Sequence, residues 1–343
     1  MSMALALAER KLVPDALIRF GIRRRLDRHM ARERRVPAER RQAVLMEFTS
    51  MMRGSPIAVH TADANLQHYE VPARFFGFVL GPNMKYSCCD FSVAGTSLEA
   101  AEAAMLAKTC ERAQLEDGMD ILELGCGWGS LTLWMAERFP NSRITAVSNS
   151  KSQREFISKR ATQRGLQNIT VLTQDMNEFT TDQTFDRVVS VEMFEHMRNY
   201  EKLLAWIAGW LKPNGKLFIH IFTHRDYAYL YDSQGGRNWM ATYFFTGGMM
   251  PSNSLLLYFQ HDLMIEQHWV VSGVHYERTA NAWLEAMDEH RAEIMPIMRD
   301  VYGPRAGARW YQRWRIFFMA CAELWGYHGG NEWFVSHYLL RRK

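Results

Sequence analysis

The 343-residue sequence is short of cysteine: it has five, an odd number, and Cys88 and Cys89 are neighbours in the chain. That usage argues against a disulfide-stapled fold and leads us to expect a reducing, cytoplasmic setting. Long apolar runs are missing too. No stretch approaches the roughly 18 uninterrupted apolar residues that cross a bilayer, and the opening MSMALALAERK meets Glu9, Arg10 and Lys11 too early for a secretory signal. Nor is there a strong excess of one charge. A formal net charge of +4 gives no reason to expect a nucleic-acid partner. The chain also has no internal repeat and no low-complexity segment.

Soft, flat side chains are abundant instead: 11 Trp, 19 Phe, 13 Tyr and 21 Met, in a chain that is 48% hydrophobic and 23% charged. The length suits a core domain with accessory segments. Basic residues crowd one early stretch, with Arg23, Arg24, Arg25, Arg28, Arg32, Arg34, Arg35, Arg40 and Arg41 relieved by Asp27, Glu33 and Glu39. Such a stretch is either a solvated helix face or a contact for anionic lipid or another protein.

From Ala4 to Arg53 apolar positions recur every three to four residues, which predicts helices, with Pro14 and Pro37 where first turns begin. Pro56, Pro72 and Pro82 mark loops. Leu98 to Arg112 is alanine-rich and helical, closed by the turn Glu116-Asp117-Gly118. The rhythm then changes. Strands are predicted at Met119–Leu124, Arg143–Ser148, Ile169–Thr173, Arg187–Val191 and Lys216–Phe222, and helices at Ser130–Arg138, Lys151–Arg164 and Tyr200–Leu211. Alternation of this length makes an α/β fold, a doubly wound parallel sheet that binds ligands beyond the carboxyl ends of its strands. After His224 the alternation is lost until Trp333–Leu340, a strand expected at the sheet edge. The aromatic-rich stretch between them reads as a cover over a site.

The segment Glu123-Leu-Gly-Cys-Gly-Trp-Gly129 follows a predicted strand and precedes a predicted helix. Glycines at 125, 127 and 129 permit a tight turn and close approach to a ligand. A dinucleotide fingerprint would put the last two glycines three apart and an acid at the end of the next strand, where this chain has Val147-Ser148-Asn149-Ser150. Glu123 suits a ligand whose amino-acid tail carries an ammonium group, as in S-adenosylmethionine. Asp175, just past the third strand, is placed to accept from an adenine amino group. A second cluster, Val191-Glu192-Met-Phe-Glu195-His196-Met-Arg-Asn199-Tyr200, follows the fourth strand. If the chain turns helically there, the spacing brings Glu192 and Glu195 toward one side. That cluster reads either as an active site or as a helix start stabilised by acids.

From about Tyr86 to Lys343, about three quarters of the chain, the sequence resembles the cyclopropane fatty acid synthase superfamily, and within it the plant benzylisoquinoline alkaloid (coclaurine-type) N-methyltransferases. YSCCDF at Tyr86, LELGCGWGSLTL at Leu122, VEMFEHMRNY at Val191, YFFTGGMMPS at Tyr243, LLLYFQHD at Leu255 and the closing WGYHGGNEWFVSHYLLRRK carry the likeness. Residues 1–70 resemble those enzymes more loosely. The resemblance implies a Rossmann-like class I methyltransferase sheet with a helical N-terminal segment (1–85), a cofactor-binding core (86–225), a helical and aromatic lid (226–330) and a final core strand (331–343).

It also implies residue roles. Tyr86, Ser87, Glu123, Gly125 and Gly127 would line S-adenosylmethionine, Asn149 and Gln153 would hold its ribose and Asp175 its adenine. Glu192, Glu195 and His196 would be catalytic or substrate-binding. Tyr243, Phe244, Phe245, Tyr327 and Trp333 would surround an apolar, cationic acceptor through their ring faces. In lipid-modifying relatives a bound bicarbonate serves as base. The matching positions Cys88, Glu195 and His220 are retained, but Glu192 adds an acid and Leu284 lies near where a tyrosine helps hold the anion.

The expected activity is therefore N-methylation of a small amine, by a monomer or homodimer that holds no metal. The rival readings are bicarbonate-assisted cyclopropanation or methylation of a lipid acyl chain at a membrane surface, and a non-catalytic cofactor-binding protein.

Overall fold

The computed structural model describes residues 3–59, 71–232 and 238–343. The basic N-terminal stretch is helical, as its rhythm requires: α1 (Met3–Glu9), α2 (Asp15–Glu33) and α3 (Ala38–Arg53). Pro14 and Pro37 sit directly ahead of α2 and α3, where a missing N–H costs no helical hydrogen bond. Several of its arginines, though partly exposed, reach far across the sequence. Arg19 and Arg23 bridge Glu323 at 3.0 and 2.7 Å, and Arg34 reaches the buried Glu332 at 2.5 Å. These pairs tie the beginning of the chain to its end.

Next come α4 (Ala73–Val79) and α5 (Leu98–Arg112), the latter capped by the Ser97 hydroxyl, which accepts from the Ala100 amide at 3.2 Å. Strands and helices then alternate: β1 (Asp120–Leu124), α6 (Ser130–Arg138), β2 (Arg143–Ser148), α7 (Lys151–Gln163), β3 (Ile169–Thr173), β4 (Phe185–Val191), α8 (Tyr200–Trp210) and β5 (Leu211–His224). Each lies where periodicity predicts it, with ends moved by a few residues and β5 extended at both ends. The strands run parallel in the order β3-β2-β1-β4-β5. The order reverses between β1 and β4, so the segments leaving these two neighbours open a crevice at the carboxyl edge.

The rest of the chain holds the short strands β6 (Tyr229–Leu230) and β7 (Met249–Met250), which pair apart from the main sheet, with α9 (Trp239–Tyr243) between them in sequence. Then follow β8 (Leu263–Val271), α10 (Gly273–Glu289), α11 (Arg291–Tyr302), α12 (Gly307–Trp325) and β9 (Trp333–Arg342). Here the expectation fails in one respect: the last strand is not the edge. β9 lies antiparallel between β5 and β8, completing a seven-stranded sheet of order β3-β2-β1-β4-β5-β9-β8. β8 takes the edge, from within the stretch expected only to cover the site. Its signal is weak because Glu266, Gln267 and His268 are exposed there and a bulge interrupts the pairing between Ile265 and Gln267.

The aromatic excess has a location. Trp283 on α10, Trp314 and Phe318 on α12, and Phe75 and Phe76 on α4 are all buried in one cluster beside the sheet. Among the described residues no helix is long and apolar enough to cross a membrane. Gly273 opens α10 where three elements meet. A Cβ there would fall inside contact distance of the backbone oxygens of Trp325 and Trp333. Gly273→Ala should therefore destabilise the fold by about 3 kcal/mol or more, read as a lowered midpoint of thermal unfolding.

Candidate active site

The glycine turn leaves β1 with its backbone pinned to the next strand, the amides of Gly125 and Cys126 both donating to the Val147 carbonyl at 3.0 Å. All three glycines have positive φ, at 81°, 52° and 79°. A Cβ on Gly125 would meet the Met193 side chain at 2.7 Å, and one on Gly129 would meet Ile157 at 2.6 Å. One on Gly127 would meet nothing within 4 Å. Two glycines thus answer to packing, and the third faces open space at the crevice.

Two cavities flank this turn, of about 190 and about 70 Å3, and both are lined by Gly125, Gly127, Gln153 and His196. Tyr86, Ser87 and Glu123 line the larger and Asn149 the smaller. Of the expected cofactor residues only Asp175 is absent from both walls. Its carboxylate accepts from the Asn177 amide at 2.8 Å and side-chain nitrogen at 3.0 Å, while its neighbours Gln174 and Met176 line the smaller cavity.

The donors and acceptors here suit a polar, cationic ligand. Glu123 is buried, and among the described residues its side chain has one hydrogen-bond partner, the Thr132 hydroxyl at 2.5 Å. Burial pushes its carboxyl up to about 7, with the Thr132 bond opposing. The buried Nε2 of Gln153 and hydroxyl of Ser130 have no partner among the described residues, and both residues face the larger cavity.

Across the crevice, Glu192 is the first residue after β4 and stands at φ 48°, a strained conformation for a non-glycine residue. The helical turn suggested by the spacing is a short 3-10 turn over Phe194–His196 that starts after Glu192. The Glu192 carboxylate is gripped on both oxygens. Oε1 accepts from the Cys88 amide at 3.0 Å and His220 Nε2 at 3.2 Å, and Oε2 accepts from the Tyr276 hydroxyl at 2.6 Å. The buried ammonium of Lys85, which donates to the Cys88 carbonyl at 2.8 Å and to the Ser87 hydroxyl, opposes the upward push of burial on Glu192.

Glu195 lies wholly buried behind the wall. Its Oε1 accepts from the Phe222 amide at 2.9 Å, while Oε2 has no partner among the described residues. Burial and the charge of Glu192 push its carboxyl far up, whereas the Lys85 ammonium and the bonds from Tyr276 and Cys88 favour the charged form of Glu192, so of the two acids Glu195 is the one that more readily holds a proton. His196 joins Glu192 in the wall, its ring edge-on to Phe245 at 4.8 Å.

A bicarbonate ion does not fit this arrangement. The Cys88 amide, His220 and a tyrosine hydroxyl, donors expected to serve such an anion, all end on the carboxylate of Glu192. The tyrosine thought to be missing beside Leu284 is supplied by Tyr276, two turns earlier on α10.

The aromatic wall needs a larger correction. Of the residues expected there only Phe245 lines the cavity. Tyr243 lies under the Arg313 guanidinium at 3.9 Å, Phe244 stacks on Phe317 at 4.4 Å, Tyr327 donates to Asp27 at 3.0 Å and Trp333 donates to Tyr229 at 3.1 Å. The wall is built instead from Phe222 on β5, Tyr231, Tyr276 and Trp283 on α10, and Phe317 and Trp325 on α12. Phe317, Cys321 and Leu324 recur at helical spacing, a pattern that ordinarily means core, so nothing in the sequence separated them from it.

Similarity to known proteins follows the same lines. Residues 58–329 match the family model for mycolic acid cyclopropane synthetase. The (S)-coclaurine N-methyltransferase of Thalictrum flavum subsp. glaucum is 40% identical over 336 residues, covering 97% of this chain and 93% of that one. The cyclopropane-fatty-acyl-phospholipid synthase of Escherichia coli (strain K12) is 32% identical over 259 residues, 75% of this chain and 62% of that one. Among solved structures, coclaurine N-methyltransferase bound to N-methylheliamine and SAH superposes with a TM-score of 0.95 at 36% identity, over 99% of both chains.

Because the Thr132 hydroxyl donates to the charged form of Glu123, removing it should move that carboxyl further up. In Thr132→Val without ligand, carboxyl-carbon NMR should show Glu123 titrating above its wild-type midpoint near 7. A midpoint that stays put or falls would show that the bond does not support the charge.

Proposed function

The chain belongs to the mycolic acid cyclopropane synthetase family and is an S-adenosylmethionine-dependent methyltransferase, and within that family we propose that it N-methylates a small, apolar amine. The observation that carries this reading is the Glu192 carboxylate, held by three donors in a cavity wall that also carries Phe222, Phe245, Tyr276 and Trp325. A negative charge among ring faces favours an ammonium group and disfavours an acyl chain or a second anion. The names of the alkaloid N-methyltransferases that resemble this chain nearly end to end point the same way.

In this reading Glu123 takes the cofactor's ammonium group, the turn at Gly125 and Gly127 admits its backbone, and Asn149 and Gln153 face its ribose. Tyr86 and Ser87 close it from residues 80–97, the N-terminal strap that joins α4 to α5. With Asp175 turned to Asn177, the adenine falls to Gln174 and Met176 beside it. S-adenosylmethionine, when bound there, supplies an electrophilic methyl group on a sulfonium.

An amine reacts only when unprotonated. Glu192 binds and orients the arriving ammonium, and His196, facing both cavities, takes its proton. Glu195, protonated behind them, keeps a second charge out of the pocket and fixes the Phe222 backbone. Phe222, Phe245, Tyr276 and Trp325 exclude water and present their ring faces to the substrate. The described part of 1–85 supplies the helices α1 to α4, 86–225 the cofactor core, 226–330 the cover together with the edge strand β8, and 331–343 the strand β9 that lies between β5 and β8.

Lipid modification assisted by bicarbonate loses ground on one point: its anion cradle is occupied by a side chain. Purified protein with labelled cofactor should methylate members of a panel of secondary and tertiary amines and leave phospholipid vesicles unchanged, read by mass spectrometry. Cyclopropanated vesicles with an unreactive amine panel would sink the assignment.

Substitutions should separate the two halves of the crevice. Gly127→Val should abolish cofactor binding by calorimetry. Glu195→Ala and His196→Ala should each cut turnover at least about a hundredfold while sparing that binding. Unchanged rates would remove both from the mechanism.

A further inference from the structure

The Glu192 carboxylate is the inner end of a hydrogen-bonded file that crosses the sheet. His220 on β5 faces His337 on β9 in register, and both are fully buried. Arg112, the last residue of α5, donates from its guanidinium to His337 Nδ1 at 2.8 Å. His337 Nε2 lies 2.9 Å from His220 Nδ1, and His220 Nε2 lies 3.2 Å from Glu192 Oε1.

The direction of every bond follows from the first. A guanidinium has only donors, so His337 Nδ1 must be an acceptor and bear no proton. Burial, joined at His220 by Lys85 and at His337 by the His220 ring, holds both rings far below the ordinary histidine range, so each is neutral with one N–H. His337 therefore carries its proton on Nε2 and donates to His220 Nδ1. His220 in turn carries its own on Nε2 and donates to Glu192.

Had His220 the opposite tautomer, it would turn a lone pair toward the carboxylate, and Glu192 would have to take a proton and surrender its charge. No motif reading joins these residues, which are 225 positions apart at the outer pair.

We propose that Arg112 and His337 are positioning residues of the amine site: the guanidinium dictates the tautomers of two buried histidines and so keeps Glu192 an ionised acceptor toward the substrate. This rests on the reading of Glu192 as the amine-binding carboxylate. The other groups facing Glu192 are Lys85 and Cys88 from the N-terminal strap, Tyr276 from α10, Cys321 from α12 and Glu195 from its own segment. Lys85 and the Tyr276 hydroxyl also favour its charge, so loss of the file weakens that charge without abolishing it.

Nitrogen-15 NMR of histidine-labelled protein should show His220 and His337 both protonated on Nε2 and bare on Nδ1. Arg112→Met and His337→Phe should each raise the amine KM about tenfold with kcat far less affected, and should move the acidic limb of kcat/KM to higher pH, because Glu192 then protonates more readily. SAH binding, measured by calorimetry, should not change. His337→Gln, whose amide can accept from Arg112 and donate to His220, should keep KM near wild type, as should Arg112→Lys.

A proton on His337 Nδ1 in the wild-type spectrum would overturn the proposal. So would folded Arg112→Met and His337→Phe with wild-type KM and pH profile. The wild-type spectrum needs neither variant nor substrate, so it decides the bond direction even where a variant fails to fold. If the spectrum shows the two Nε2–H forms and no amine turns over, the amine reading fails and the file stands.

Discussion

Keeping a carboxylate charged where little water reaches it is costly, and the crevice is organised around meeting that cost at Glu192. A backbone amide, an imidazole and a phenol supply hydrogen bonds, and the Lys85 ammonium adds a charge of opposite sign. These groups come from the N-terminal strap, from β5 and from α10, so the full support for the charge exists only when three distant parts of the chain are assembled. The φ of 48° at Glu192 is part of the same arrangement, because an extended or helical residue there would aim the side chain elsewhere.

The two halves of the crevice are mechanically joined. Met193, next to Glu192, packs where a Cβ of Gly125 would lie, so the turn that admits the cofactor and the segment that carries the acids press on each other. Leu124 and Ser190 pair in register at the ends of β1 and β4, which fixes the spacing between the halves to the width of one strand pair. One charge is then shared unequally between two buried acids. Glu192, with several donors, is the better place for it, and Glu195, with one backbone amide, more readily takes the proton.

Parallel strands and their helices were legible because each is buried on both sides or along one stripe, so apolar periodicity survives intact from β1 to β5. β8 was not, since an edge strand with a bulge and three exposed polar residues no longer alternates. The glycine turn was also legible: glycines at 125, 127 and 129 permit the positive φ they adopt there, and Glu123 follows from its place in β1 beside the turn, whereas Asn149 and Gln153 were named only through the family resemblance. Asp175 uses one carboxylate oxygen on its own turn at the mouth of β3, while the residues on either side of it line the smaller cavity.

Local patterns of the chain determined, by themselves, the α/β architecture, the glycine turn and the placing of two acids and an imidazole after β4, because all of these depend on residues near one another in sequence. Only the tertiary structure decided which aromatics form the wall, that Tyr276 replaces the tyrosine sought beside Leu284, and that Arg112, His337 and His220 point in file at Glu192. Those facts depend on which face of α10 or α12 meets the crevice and on the pairing of β5 with β9. Helical spacing cannot tell a cavity wall from a packed core, and a hydrogen bond across 225 residues leaves no periodic trace.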